Sequence, residues 1–204
     1  MLQLLELEDQ GLIDLFFTDE CGFNLTPCIP YGWQPQGEQL TIRSAKDSVA
    51  NVFGLLSRLG KLKVYSTPQI INSDFIIECV DEVALNIDCP TVLVFDNAPW
   101  HRSHKVLKNQ KGWAERNLYI FFLPVYYPHL NLIETLWRKS KYAWLRPEHY
   151  ESAKILKAAI FNIIEKYDDE FCINFSKNFL SVTYFCPSTF PIINKRRFIV
   201  KIAF

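Results

Sequence analysis

Three short runs of the chain are apolar almost without interruption: Leu15 to Phe17, Thr91 to Phe95 and Leu118 to Leu123. Runs of this length, rich in Val, Ile, Leu and Phe, fit strands buried on both faces. The first is read as a short strand, Leu15 to Asp19, that ends in an acid. The second ends at Asp96, and the third is stopped by Pro124. Ser48 to Leu56 and Lys61 to Ser66 flank Ser57-Arg-Leu-Gly60 and predict a hairpin, with Lys61, Lys63 and Tyr65 alternating with Leu62 and Val64. The spacing of Phe75, Ile76, Cys79, Val80 and Val83 predicts a helix over 74–86, capped by Asn72-Ser73. A polar helix over about 102–116 is expected next. A further helix runs from Leu130 to Leu145, stopped before Pro147, and an amphipathic one spans about 151–166. Residues 24–40 hold three prolines and two glycines and read as loop.

Strands alternating with helices after an initial hairpin predict an α/β domain with a mixed sheet flanked by helices on both faces. It is expected to occupy residues 1–176. Residues 177–204 follow no period, carry Pro187, Pro191 and the triplet Lys195-Arg-Arg197, and are set apart as an unassigned tail.

Composition narrows the function classes. Apolar residues make up 49% and charged residues 22%, which is ordinary globular usage and excludes wholesale disorder. Twenty-two basic residues balance 22 acidic ones, whereas a module that only binds nucleic acid is usually basic. Cys21, Cys28, Cys79, Cys89, Cys172 and Cys186 match no zinc spacing and are expected as reduced thiols, which implies a cytoplasmic protein. Glu6, Glu8 and Asp9 interrupt the early leucines, so no signal peptide is expected. No apolar stretch approaches the ~20 residues of a membrane span.

The chemistry lies in the acids. A carboxylate at the carboxyl end of a buried strand sits at the rim of the sheet, where α/β proteins build sites. Taken singly, such an Asp is more often a turn former or a cap. Their surroundings change the reading. Asp19 opens Asp19-Glu-Cys-Gly-Phe23. Asp96 opens Asp96-Asn-Ala-Pro-Trp-His101-Arg-Ser103. Glu134 lies within Pro124-Val-Tyr-Tyr-Pro128-His-Leu-Asn131-Leu-Ile-Glu134-Thr-Leu-Trp137. In order and spacing, with 38 positions between Asp96 and Glu134, these segments resemble the three acidic motifs of DDE transposases. The likeness is to bacterial insertion-sequence members of the mariner superfamily, and it covers roughly residues 13–175. Tyr127 stands where a serine is usual and Leu132 where a proline is usual, so a looser start to the Glu134 helix is expected.

The resemblance implies a ribonuclease-H-like fold and a metal-dependent DNA endonuclease and strand transferase. Asp19, Asp96 and Glu134 would be both catalytic residues and ligands of two Mg²⁺ or Mn²⁺ ions. Such ions prefer hard oxygen donors, and a pair can clamp the attacking and leaving oxygens of a phosphodiester. The implied partners are the inverted repeats of a transposon and target DNA at a TA step. A homodimer is implied in the active complex, and nucleoid association in the cytoplasm. Family members carry a helix-turn-helix region before this domain. The 18 residues ahead of Asp19 hold none, so a separately encoded portion is expected.

Several side chains carry secondary readings. Asn97, His101, Arg102, Arg138, Lys139 and Lys141 are candidate DNA contacts, with His101 alternatively lying behind Asp96. Glu134, Arg138 and Lys141 share one helix face, while Ile133, Leu136, Ser140 and Ala143 share the core face. Glu20 should point to the opposite side of the extended chain from Asp19 and act structurally or by supporting the site from behind its ligands. His101 and His104 make a His-x-x-His pair, but no third soft ligand supports zinc. Trp100, Trp113, Trp137 and Trp144 read as packing anchors rather than base-stacking platforms. Two alternatives remain: another nuclease on the same fold, or an inactive or domesticated remnant.

Overall fold

The computed structural model describes residues 1–28, 48–124, 130–173 and 200–202. The elements in order are α1 (Leu2–Asp9), β1 (Asp14–Asn24), β2 (Ser48–Leu56), β3 (Leu62–Thr67), α2 (Ser73–Leu85), β4 (Thr91–Phe95), α3 (His104–Ala114), β5 (Leu118–Phe122), α4 (Ile133–Lys139), α5 (Ala153–Glu165) and β6 (Val200–Ile202). A π-helical turn over Ser140–Trp144 extends α4, and a 3-10 turn covers Pro147–Glu151.

The strands form one mixed sheet in the order β5-β4-β1-β2-β3-β6. β1 pairs parallel to β4, and β4 parallel to β5, whereas β2 runs antiparallel to both β1 and β3. This is a ribonuclease-H-like order, so the expected fold class holds. The runs in β1 and β4 are continuous because both faces of the sheet are covered there; β5, at the sheet edge, departs from the two-sided burial expected of its run, with Leu118 buried, Tyr119 exposed and Ile120 to Phe122 half-buried. Leu15, Phe17, Val92 and Val94 bury against α1, α4 and α5 on one face. Phe16, Phe53, Leu93 and Phe95 bury against α2 and α3 on the other. Tyr65 is buried in the second layer, which overrides the one-sided alternation expected for β3.

Several local expectations change. β1 does not stop at Asp19 but continues through Asn24, because β2 supplies antiparallel partners along that whole stretch, from Phe17↔Leu56 to Asn24↔Ser48. The Glu134 helix begins at Ile133 rather than Leu130 and passes into the π turn at Ser140. That turn is closed by Leu145 N donating to Ser140 O at 3.0 Å. The wider turn rotates the following residues, so Ala143 is exposed and Leu145 is buried, and the predicted core face ends at Ser140. Leu132 does not loosen the helix start. It is buried with φ −58°, a value a proline would impose, and Thr135 N donates to its carbonyl at 3.0 Å.

The early acids, read only as a break in an apolar run, have a structural use. Arg58, beside the β2–β3 turn, donates to Glu8 and to Asp9, each at 2.6 Å, and ties α1 to the sheet. Val200–Ile202, within the tail read as unpatterned, pair in parallel with Val64–Ser66 of β3. Asn24, read as loop, is the last residue of β1, whereas residues 25–28 carry no helix or strand, in keeping with the loop reading; 29–40 lie outside the described residues, as do Tyr127, His129 and Cys186. The other five cysteines are free thiols. Among the described residues no helix is long and apolar enough to cross a membrane.

Candidate active site

The parallel register of β1 and β4 ends with Phe17 opposite Val94. Two residues further along each chain, the same offset sets Asp19 level with Asp96. β4 stops at Phe95, so Asp96 stands at its carboxyl end, while Asp19 lies within β1 opposite Gly54 of β2. A carboxylate in the middle of a long strand thus faces one at the end of its shorter neighbour.

Gly54 explains how the third acid reaches this place. A Cβ there would stand 2.6 Å from a ring carbon of Trp137 and 2.8 Å from the Ile133 Cδ1 atom. Only a residue without a side chain lets α4 press onto β2 beside Asp19, with Glu134 in its first turn. Asn131 fixes the approach to α4: its buried amide donates to Thr18 O at 2.9 Å, next to Asp19. Neither Gly54 nor Asn131 stood out as a spatial constraint in the sequence. The only signals were a glycine inside an apolar strand, which marks close approach, and the Leu-Asn pair of the third motif.

The acids affect one another's charge. Burial, above all, and then the charges of Glu20, Asp96 and Glu134 raise the Asp19 carboxyl to about 8, with the Glu20 backbone amide opposing. Burial alone would also raise Asp96, but the His101 hydrogen bond, the Ala98 amide and the His101 charge outweigh it and hold Asp96 below its ordinary value. Burial disfavours the His101 imidazolium, yet the bonds to Asp96 and Glu20 prevail and lift it to about 9. The ring nitrogens lie 2.5 Å from Asp96 Oδ1 and 2.6 Å from Glu20 Oε1.

The candidate DNA contacts divide. His101 has a fully buried side chain with both nitrogens occupied, so it lies behind Asp96 and has no surface to offer DNA. Asn97 donates to Leu123 O and accepts from Arg102 Nη1 at 2.9 Å. The exposed Arg102 guanidinium also stacks on Phe122, 5.1 Å from the ring centre, so Arg102 and half-buried Asn97 brace the ends of β4 and β5. Lys141 is half-buried with its Nζ 5.4 Å over the Phe23 ring, directed onto the sheet, while Arg138 is exposed and Lys139 half-buried. Trp113 and Trp137 are buried anchors and Trp144 is half-buried against Phe171. Trp100 departs from that reading: it is 43% exposed, held by its indole N–H on Glu20 at 3.3 Å and by Ser73 Oγ on its carbonyl at 3.0 Å.

The donor chemistry fits a hard divalent cation: carboxylate oxygens dominate, and Asp19 is raised first by burial and then by the charges of Glu20, Asp96 and Glu134, the part that a cation would relieve. Among the described residues, no group of three or more His, Cys, Asp and Glu side chains is gathered as a ligand cluster. For the His101-His104 pair, His101 is committed to two carboxylates, which agrees with the case against zinc.

A family model described as DDE superfamily endonuclease matches residues 14–157, most of the chain and all three acids. The chain belongs to this superfamily. The DDE superfamily implied by the acidic motifs is therefore the superfamily found.

No curated protein matches the chain. Among solved structures, it resembles the Mos1 transposase paired-end complex with left transposon end, at 12% identity and a TM-score of 0.48, covering 83% of this chain and 58% of that one. It also resembles the Mos1 mariner paired-end complex with Mn, at 12% identity and a TM-score of 0.47, with the same coverage. For the Mos1 transposase catalytic domain with raltegravir and Mg, the identity is 12% and the TM-score 0.41, over 83% of this chain and 88% of that one. The chain thus spans about 58% of the length of the Mos1 chains in the paired-end complexes.

Proposed function

We propose that this chain is the catalytic domain of a cut-and-paste DNA transposase, in which Asp19, Asp96 and Glu134 cleave transposon ends and join them to target DNA. The observation that carries the reading is the placement of these acids. Adjacent parallel strands set Asp19 level with Asp96, and α4, admitted by Gly54, brings Glu134 to the same sheet region.

The three carboxylates would hold two Mg²⁺ or Mn²⁺ ions, which supply Lewis acidity to a scissile phosphate and favour the deprotonated nucleophile. The protein's own part is to hold the acids on rigid elements. Burial by Phe17, Ile133 and Trp137 keeps the supporting layer dry, and the His101 imidazolium keeps Asp96 ionised and oriented. Water is the first nucleophile and the freed 3′-hydroxyl the second. Arg138 and Lys139, on the same helix as Glu134, would contact phosphate oxygens. The inverted-repeat ends and a TA target are the proposed DNA partners. The active species is proposed to be a homodimer associated with the nucleoid.

The test is nicking of supercoiled plasmid by the purified chain, together with its melting temperature, in EDTA and in millimolar Mg²⁺ or Mn²⁺. Metal should raise the melting temperature of the wild type and permit nicking, and Asp96→Asn should abolish both. Identical melting with and without metal, together with metal-independent or absent nicking, refutes the proposal.

A further inference from the structure

Glu20 is the acid that the three-carboxylate reading leaves without a task, yet it is bonded into the centre of the site. Its Oε1 lies 2.6 Å from His101 Nε2, and the other ring nitrogen lies 2.5 Å from Asp96 Oδ1. The ring between them is fully buried and packs at 4.7 Å on Phe95, and its backbone N–H donates to Ala98 O at 3.0 Å. Asp96 Oδ1 takes a second bond, from Ala98 N at 2.9 Å. Both bonds fall on the same oxygen. Among the described residues Oδ2 has no hydrogen-bond partner, although the Asp96 side chain is 44% exposed.

This asymmetry matters because Asp96 follows the last residue of β4, where the sheet no longer fixes its direction. Its rotamer is set by His101, and the ring of His101 is set by Glu20. Glu20 is itself the next residue after Asp19 on β1. The strand that supplies one acid therefore also anchors the orientation of the other, through a single bonded chain. Groups that orient a ligand from behind typically change metal affinity by about 10–100-fold when removed.

We infer that Glu20 and His101 are positioning residues, which commit Asp96 Oδ1 to the protein and leave Oδ2 for a divalent cation. This rests on the proposed metal-dependent function. A clamp serving only the fold would make the same contacts, so stability by itself does not discriminate. The discriminating quantity is the metal concentration at the midpoint of the thermal shift.

The experiment is a thermal-shift titration with Mn²⁺ alone on the wild-type chain, Glu20→Ala and Glu20→Gln. Glu20→Ala should move the midpoint to roughly tenfold higher metal while saturating Mn²⁺ still stabilises the protein. Glu20→Gln, which keeps an acceptor for the ring, should recover most of the wild-type midpoint. Should Glu20→Ala fold poorly, Glu20→Thr carries the same test with a better strand former. A lowered melting temperature with an unchanged Mn²⁺ midpoint overturns the inference and leaves the proposed function standing. A wild type that ignores Mn²⁺ overturns both.

Discussion

Gly54→Ala is the smallest change that tests how this site is assembled. Two effects oppose. Alanine restricts the unfolded chain more than glycine, which favours folding by about 0.4–1 kcal/mol where the native backbone accepts it. Against this, the new methyl would lie 2.6 and 2.9 Å from two ring carbons of Trp137 and 2.8 Å from the Ile133 Cδ1. Ile133 can yield, since Cδ1 ends a flexible side chain. The indole cannot: it is rigid, nearly buried and packed edge-on against Phe23 with ring centres 6.4 Å apart. Overpacking of this kind costs about 1–3 kcal/mol, so it outweighs the gain. Net of the gain, about 0–2.6 kcal/mol remains, and at about 2–4 °C per kcal/mol for a chain of this size melting should fall by up to roughly 10 °C. Because the strain is relieved by moving α4 off β2, Glu134 moves too, and the stabilisation by millimolar Mg²⁺ should shrink with it. The double variant Gly54→Ala/Trp137→Phe removes the clashing ring atoms together with a buried indole N–H that has no partner among the described residues. It should melt above the sum of the two single effects, with a coupling of order 1 kcal/mol. Differential scanning fluorimetry with EDTA and with Mg²⁺ gives all the required quantities. A Gly54→Ala chain that melts at or above the wild type, or two variants that add without coupling, would refute the packing argument.

Stability without metal should fall as pH rises from about 6.5 to 9. The folded Asp19 carboxyl, at about 8, keeps a proton that the unfolded chain has released, so its contribution is full below the ordinary carboxylate value and is lost as pH climbs through 8. His101, lifted to about 9, contributes fully below 6.5 and loses that contribution as pH rises through 9, so the two groups act in the same direction. Asp19→Asn should flatten the melting-temperature profile below pH 8, and an unchanged slope counts against the burial and crowding assigned to this acid. Deleting residues 177–204 removes β6 from the outer edge of β3 but none of the strands carrying the acids, so melting and metal response should stay close to wild type. Failure of that shorter chain to fold would make the edge strand integral to the domain.

The sequence by itself determined the covered strands, the helices that flank them and the identity of the acids. Continuous apolar runs such as Thr91 to Phe95 are stable only between two layers, and Asn72 caps α2 as its position suggests, accepting from Asp74 N and Phe75 N. Motif spacing carried the family, because residues such as Asp96, Asn131 and Glu134 keep their order along the chain whatever the fold does. Tertiary structure decided what depends on contacts between distant segments. The length of β1 beyond Asp19 comes from its pairing with β2, and no local pattern in Glu20 to Asn24 required it. His101 looked as suited to DNA as to a place behind Asp96 until burial put its ring between two carboxylates 81 and five positions away. The alignment of α4 depends on Gly54, a residue whose meaning is the space it leaves for Trp137. Local periodicity reports which faces are buried. Which acid meets which base is settled by register and packing, and those are properties of pairs of segments that one-dimensional spacing does not encode.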